Sequence, residues 1–178
     1  MAERVIIRNP SPLDQAAFLQ AVRRSRRLHH PWVTPPDSSA AYRRYLARGR
    51  ETGQRIYLIC GKEAEELVGT ISLGEIVRGN FQSAYLGYYA FEPYAGRGMM
   101  RQGMALVIDR VFRRLRLHRL EANIQPGNEA SIGLVRSLGF RHEGYSPRYL
   151  KINGRWRDHE RWGLLAEDWK SPSRMARR

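Results

Sequence analysis

Tyr94-Ala95-Gly96-Arg97-Gly98-Met99-Met100 is the stretch on which the reading of this 178-residue chain turns. Residues 82–91 before it alternate and are rich in tyrosine. After it, Met100, Met104, Val107, Ile108, Val111 and Leu115 recur at helical spacing, so a strand runs through a glycine loop into a helix with one buried face. The first N–H groups of a helix have no internal partner, and the aligned peptide dipoles make that end positive. Together they suit a phosphate or pyrophosphate. Gly96 and Gly98 allow a tight turn and close approach, and Arg97 and Arg101 add positive charge. A glycine pair that merely punctuates a strand-to-helix turn would read the same way. No Lys-Ser/Thr pair completes a P-loop, and no G-x-G-x-x-G follows the first strand.

Working outward, residues 5–8, 55–60, 67–73, 82–91, 119–124, 141–150 and 157–165 read as strands. Helices are expected after the Ser11-Pro12 start, from Ser38 to Gly53, after the glycine loop, and from the Asn128 cap to the stop at Gly139. Three prolines keep His30–Asp37 irregular, Gly87 marks a bulge or close approach, and Asn153-Gly154 is a hairpin turn. The expected class is α+β, a mixed, mostly antiparallel sheet of about seven strands with about four helices. One domain over residues 1–169 and a basic, disordered tail over 170–178 complete the expected organisation.

The formal net charge is +14, and only Lys62, Lys151 and Lys170 among the 31 basic residues are lysine. Such a balance favours polyanions, but the arginines are spread out, and solvated faces account for them as well as a shaped nucleic-acid site. Cys60 stands alone, which excludes a disulfide framework and a cysteine metal cluster. The five histidines show no metal-ligand pairing. With no apolar run of membrane-spanning length and no signal-peptide core, a cytoplasmic protein with no membrane partner is expected.

A second cluster follows the loop by about 30 residues: Asn128-Glu129-Ala130-Ser131, then Leu138-Gly139-Phe140. Loop, helix, strand, Asn-x-x-Ser, helix and Leu-Gly-Phe in this order resemble the GNAT (Gcn5-related) N-acetyltransferases. Val77–Phe81, Tyr85-Leu86-Gly87-Tyr88, His118-Arg119 and the run Tyr149–His159 resemble the RimJ/RimL branch, and within it the ribosomal-protein alanine N-acetyltransferases; the likeness covers residues 4–169. The resemblance implies a GNAT fold with a twisted sheet and acetyl-CoA as co-substrate. It also implies a protein N-terminal α-amine as acceptor, on a ribosomal protein beginning with alanine. The coenzyme would be held by Ala90, Phe91, Gly96, Arg97, Gly98, Met99, Met100, Arg101, Asn128 and Ser131, mainly through backbone N–H groups, because Ala95 stands where relatives carry Arg or Gln.

By the same resemblance, a backbone N–H at Ala90-Phe91 would polarise the thioester carbonyl, and Ser131 would protonate the leaving thiolate or orient a water that does. Val135 replaces the tyrosine acid of many relatives, and Leu150 leaves the glutamate base of the RimL type vacant. Asn123 could hold a water that takes the amine proton. An α-amine with a pKa near 7.7–8.0 is partly neutral already, so a strong base is not obligatory. Trp32 and Tyr149 are expected to bracket the first residue of the acceptor, between the segment His30–Asp37 and the hairpin at Asn153-Gly154; core aromatics would read alike. Two other readings stay open: a small-molecule amine as acceptor, which the positive charge disfavours for cationic substrates, and a GNAT-fold nucleic-acid-binding regulator.

Overall fold

The computed structural model describes residues 4–171. Seven strands form one sheet: β1 (Val5–Arg8), β2 (Arg55–Gly61), β3 (Leu67–Val77), β4 (Ser83–Ala90), β5 (Arg119–Ile124), β6 (Arg141–Ile152) and β7 (Arg155–Leu165). Their order is β1-β2-β3-β4-β5-β7-β6. Every neighbouring pair is antiparallel except β4 and β5. Those two run parallel because the glycine loop and a helix carry the chain back between them. The helices are α1 (Gln15–Arg24), α2 (Arg26–His29), α3 (Ser39–Arg48), α4 (Met99–Arg113) and α5 (Glu129–Ser137). The fifth helix, beyond the four expected, is the single turn α2. It is set off from α1 at Ser25, whose hydroxyl bonds back to the Ala21 carbonyl at 2.7 Å. The α+β reading and the mixed seven-stranded sheet are as the sequence implied.

Side-chain alternation divides the core into two layers. Tyr57, Ile59, Ile71, Leu86, Leu120 and Trp162 face α4 and α5. Ile56, Leu58, Cys60 and Phe91 turn the other way, toward Phe18 of α1 and Tyr42 and Tyr45 of α3. Helix α4 buries Met104, Val107, Ile108 and Val111 completely, each contributing about 1.5–3 kcal/mol of apolar burial. That stripe seats the helix on the sheet and fixes where the loop before it lies.

Three local expectations meet the structure differently. Gly87 lies in regular register opposite Ser72. A Cβ there would stand 2.9 Å from the Ser72 hydroxyl, so it is a close-approach glycine, and the register shift falls between Gly74 and Val77 instead. Asn153 (φ 50°) and Gly154 (φ 76°) form the β6–β7 turn with both central residues left-handed, as Asn-Gly prescribes. The expected tail does not begin at Lys170: Ser171 is buried, and its hydroxyl and the Trp169 indole each reach the Asp109 carboxylate of α4 at 2.7 Å. The rest of that tail, 172–178, lies outside the described residues.

Gly69 of β3 sets the spacing at the end of β4. A Cβ on it would lie 2.7 Å from the Tyr89 carbonyl oxygen and 3.3 Å from the Ala90 Cα, atoms of the backbone that cannot rotate aside. Gly69→Ala is expected to destabilise the protein by about 1–3 kcal/mol through overpacking. A thermal melt within 1 °C of wild type would contradict that packing.

Candidate active site

Strands β4 and β5 separate early. Their parallel pairing covers Ser83↔Arg119, Ala84↔Leu120 and Tyr85↔Glu121, after which β4 continues beside β3 to Ala90 and β5 beside β7 to Ile124. In β4 the Phe91 N–H donates to the Val68 carbonyl at 2.8 Å, so by alternation the polar groups of Tyr88 and Ala90 point away from β3, into the opening. The expectation for Ala90-Phe91 is thereby corrected in one half. Phe91 has its N–H engaged and its ring fully buried against Phe18, so it offers no donor, whereas the Ala90 N–H faces the opening. The Ala90 carbonyl is held by His29 Nε2 at 2.8 Å, and burial holds the His29 imidazole below its ordinary pKa despite that bond.

The glycine loop lies at the end of β4. Gly96 (φ 73°) and Gly98 (φ 75°) are both left-handed, Gly98 being the N-cap of α4. A Cβ on Gly96 would meet nothing within 4 Å, which leaves that side of the backbone open to a ligand. Met99 and Met100 send their side chains into the core, Met100 to 8% exposure, so only their backbone N–H groups are on offer. Arg101 is directed elsewhere than the loop, donating to the Ser137 carbonyl of α5 at 3.3 Å. Arg4 was not singled out from the sequence, where nothing marks it. Its guanidinium bonds the Arg97 carbonyl at 2.9 Å, and its N–H bonds the Gln102 side chain at 3.1 Å, bracing the loop from the first strand.

Helix α5 flanks the opening on the same face as α4. The Asn128 side chain accepts from the Ser131 N–H at 3.3 Å, as a cap should. The Ser131 hydroxyl meets the Tyr88 phenol at 2.5 Å, so one hydroxyl pair links β4 to α5 where the strands have parted. Asn123 sits on the other face, because its neighbours Ala122 and Ile124 point into the α4–α5 core. Its Oδ1 is buried without a partner, as is Nε of Arg161, its cross-strand neighbour.

That second face carries the aromatic candidates. Tyr149 is half-buried, its hydroxyl 3.4 Å from that of Tyr85 and its ring edge-on to His159. The bond with Tyr149, helped by burial, pushes the Tyr85 phenol up to about 12. Trp32 is also half-buried; its carbonyl accepts from Gln125 at 3.0 Å at the start of the β5–α5 turn. The segment around Trp32 is tied to the β6–β7 hairpin, since Asn153 bonds Thr34 and donates to the Pro31 carbonyl at 3.4 Å. Neither ring belongs to the buried core. His159 is buried and bonded at Nδ1 to the Arg157 carbonyl, and burial lowers its pKa. His118 faces Glu167 at 3.4 Å, and the His142 ring lies edge-on to Trp162.

Among the described residues, no group of three or more His, Cys, Asp or Glu side chains could hold a metal ion. None of their helices is long and apolar enough to cross a membrane. What remains is an anion-suited loop, a backbone donor in a split sheet, and hydroxyl and amide groups on opposite faces of that split.

Known proteins share this fold. Residues 4–141 match the family model of the acetyltransferase (GNAT) domain. The [ribosomal protein uS5]-alanine N-acetyltransferase of Escherichia coli is 29% identical over 94% of this chain and 90% of its own. A probable N-acetyltransferase of Bacillus subtilis, YjcK, is 39% identical, over 58% of each chain. The solved structure of Mycobacterium smegmatis RimJ in complex with CoA-disulfide superposes with a TM-score of 0.87 at 26% identity, covering 97% of this chain and 88% of the other. The chain therefore belongs to the GNAT acetyltransferases, on the RimJ side of that family, and is an acetyl-CoA-dependent N-acetyltransferase.

Proposed function

We propose that this enzyme transfers acetyl from acetyl-CoA to the α-amine of a protein N-terminus in the cytoplasm, with an alanine-initiated ribosomal protein as acceptor. The observation that carries the reading is the opening between β4 and β5, which has the Tyr88–Ser131 hydroxyl pair on one face and the Tyr85–Tyr149 pair on the other. The likeness to the uS5-alanine enzyme along nearly the whole chain supports the acceptor. A +14 protein is also attracted to an acceptor embedded in RNA-rich particles and repelled by cationic small amines.

In this reading the pyrophosphate of acetyl-CoA rests on the N–H groups of residues 96–101 at the start of α4. The amide-bearing arm lies along Tyr88 and Ala90, beside the backbone groups of β4 that β5 no longer pairs. Asn128 shapes the wall as the α5 cap. The Ala90 N–H donates to the thioester oxygen as negative charge develops there. The amine enters from the face of Trp32 and Tyr149, which bracket a small first residue. It attacks the thioester carbon and loses its proton through a water held by Asn123. The C–S bond then breaks, and the electron pair stays on sulfur, where Ser131 donates. Proximity does much of the work, since the amine needs no strong base near neutral pH.

Incubation with acetyl-CoA and a peptide beginning with alanine should release free thiol and add one acetyl group at the peptide N-terminus. The same peptide already acetylated, free alanine and spermidine serve as controls. Faster turnover of free alanine or spermidine would remove the protein N-terminus from the reading, and mass spectrometry of ribosomal-protein N-termini with and without the enzyme would identify the acceptor.

Gly98→Asn and Gly98→Asp separate backbone strain from charge, since both residues tolerate a left-handed conformation while only one brings a carboxylate. A like charge about 4 Å from the pyrophosphate costs about 1–4 kcal/mol. The Asp variant should therefore show a KM for acetyl-CoA raised about tenfold or more over the Asn variant. Equal KM values would place the pyrophosphate elsewhere.

Asn153→Gly keeps the left-handed turn but removes both ties to residues 31 and 34. It should speed amide exchange in residues 30–37 and raise the peptide KM, with the thermal midpoint unchanged. Unaltered exchange would show that the hairpin does not brace the acceptor groove.

A further inference from the structure

The Tyr88–Ser131 contact joins two hydroxyls, and the direction of its proton decides what Ser131 can do. A serine hydroxyl has one hydrogen to donate and two lone pairs to accept with. Among the described residues, Ser131 Oγ makes no other hydrogen bond, while the Tyr88 oxygen approaches two acceptors, both on Ser131: Oγ at 2.5 Å and the backbone carbonyl at 3.3 Å. The phenol carries one hydrogen, and a phenol is a stronger donor and a weaker acceptor than an aliphatic hydroxyl. Across the 2.5 Å contact Tyr88 therefore donates to Ser131 Oγ, and the carbonyl at 3.3 Å takes only a weak share of that hydrogen. Burial also raises the Tyr88 phenol above its ordinary pKa, although the bond to Ser131 works the other way, so it carries its proton near neutral pH.

The position matters as much as the direction. Tyr88 lies on β4 beyond the last β4–β5 pair, Tyr85↔Glu121, and its ring packs with the α4–α5 core. It is held from β4 while Ser131 is held from α5, so the bond also fixes the distance between the two walls of the opening.

We propose that Tyr88 is a positioning residue for the leaving group: it donates to Ser131 Oγ and so commits the single Ser131 hydrogen to the sulfur of coenzyme A. This inference rests on the reading of Ser131 given above. As the C–S bond breaks, the electron pair collects on sulfur and the Ser131 O–H donates a hydrogen bond to it. The proton that finally resides on sulfur balances the one lost by the amine, exchanged through water, and Tyr88 and Ser131 end as they began. Tyr88 alternates like any strand tyrosine and lies 43 residues from its partner, so local pattern does not mark the pair.

The test needs no acceptor. Coenzyme A bound to the enzyme is titrated by thiolate absorbance near 240 nm, with dethio-coenzyme A as reference, for wild type, Tyr88→Phe, Ser131→Ala and the double variant. A charge-assisted hydrogen bond to the thiolate is lost in each single variant. The ionisation constant of the bound thiol should therefore fall about tenfold in both, and the double variant should fall no further, since the two hydroxyls act as one unit. Coenzyme A affinity at pH 6, where the thiol is protonated, should stay within about twofold, a split that a merely structural role for Tyr88 would not produce. A shift in Ser131→Ala but none in Tyr88→Phe overturns the positioning role and leaves Ser131 standing. No shift in Ser131→Ala overturns the reading of Ser131, and this inference with it. Additive shifts in the double variant also overturn it, because Tyr88 would then reach the sulfur without Ser131.

Discussion

The parting of β4 from β5 is the constraint on which the rest of this structure depends. Two neighbouring parallel strands that stay paired leave no backbone groups for a ligand. Here the ladder lasts three residue pairs and then each strand follows its other neighbour, β3 or β7. The separation opens a slot through the sheet with Tyr88 and Ala90 presenting backbone polar groups into it. Buried N–H and C=O groups are rarely left without partners. A slot of this kind is therefore costly empty and suited to an extended chain that carries amides of its own. Gly69 and the Phe91–Val68 bond hold the β4 wall in place. The His29 bond to the Ala90 carbonyl does so from the opposite layer.

From that slot follows a division of labour between the two faces. The α4–α5 face carries the dipole end of α4, the capped start of α5 and the paired hydroxyls of Tyr88 and Ser131. The other face carries Asn123, Tyr85, Tyr149 and, through the irregular segment, Trp32. A reaction that joins a polyanionic cofactor to an amine needs such a separation, because the two ligands must meet at one carbon without sharing a surface. Strand alternation supplies it: Ala122 and Asn123 are adjacent in sequence and face opposite ways.

Much of the fold was legible because period and punctuation agreed. The seven strand ranges, the glycine loop, the Asn128 cap and the Asn153-Gly154 turn rest on local rules with few competitors. The candidate site was legible where its geometry lies in the backbone, as at Gly96 and Gly98, whose left-handed angles almost only glycine adopts freely. It was illegible where function depends on contacts distant in sequence. Arg4 reaches Arg97 from the first strand, Tyr88 reaches Ser131 across 43 residues, and Arg101 turns to Ser137 rather than the loop. Phe91 shows a further limit. Choosing between the adjacent N–H groups of Ala90 and Phe91 requires the pairing parity, which a single sequence does not carry. Ser171 likewise looked like tail because its composition is tail-like, and only the fold places the Asp109 carboxylate within its reach.

The proton chemistry available at the slot matches what an α-amine requires. Among the described residues near the opening, Leu150 is apolar and Glu121 is paired with Arg119 at 3.2 Å. Tyr85 keeps its proton because its pKa is about 12. His159 is buried and bonded through Nδ1. A lysine side chain, with a pKa near 10.4, would reach such a site almost entirely charged and would need a base to attack. An α-amine near 7.7–8.0 would arrive partly neutral and make a smaller demand on a base. Under the proposed reading, a scarcity of strong bases would cost an α-amine little and a lysine side chain several powers of ten in neutral nucleophile.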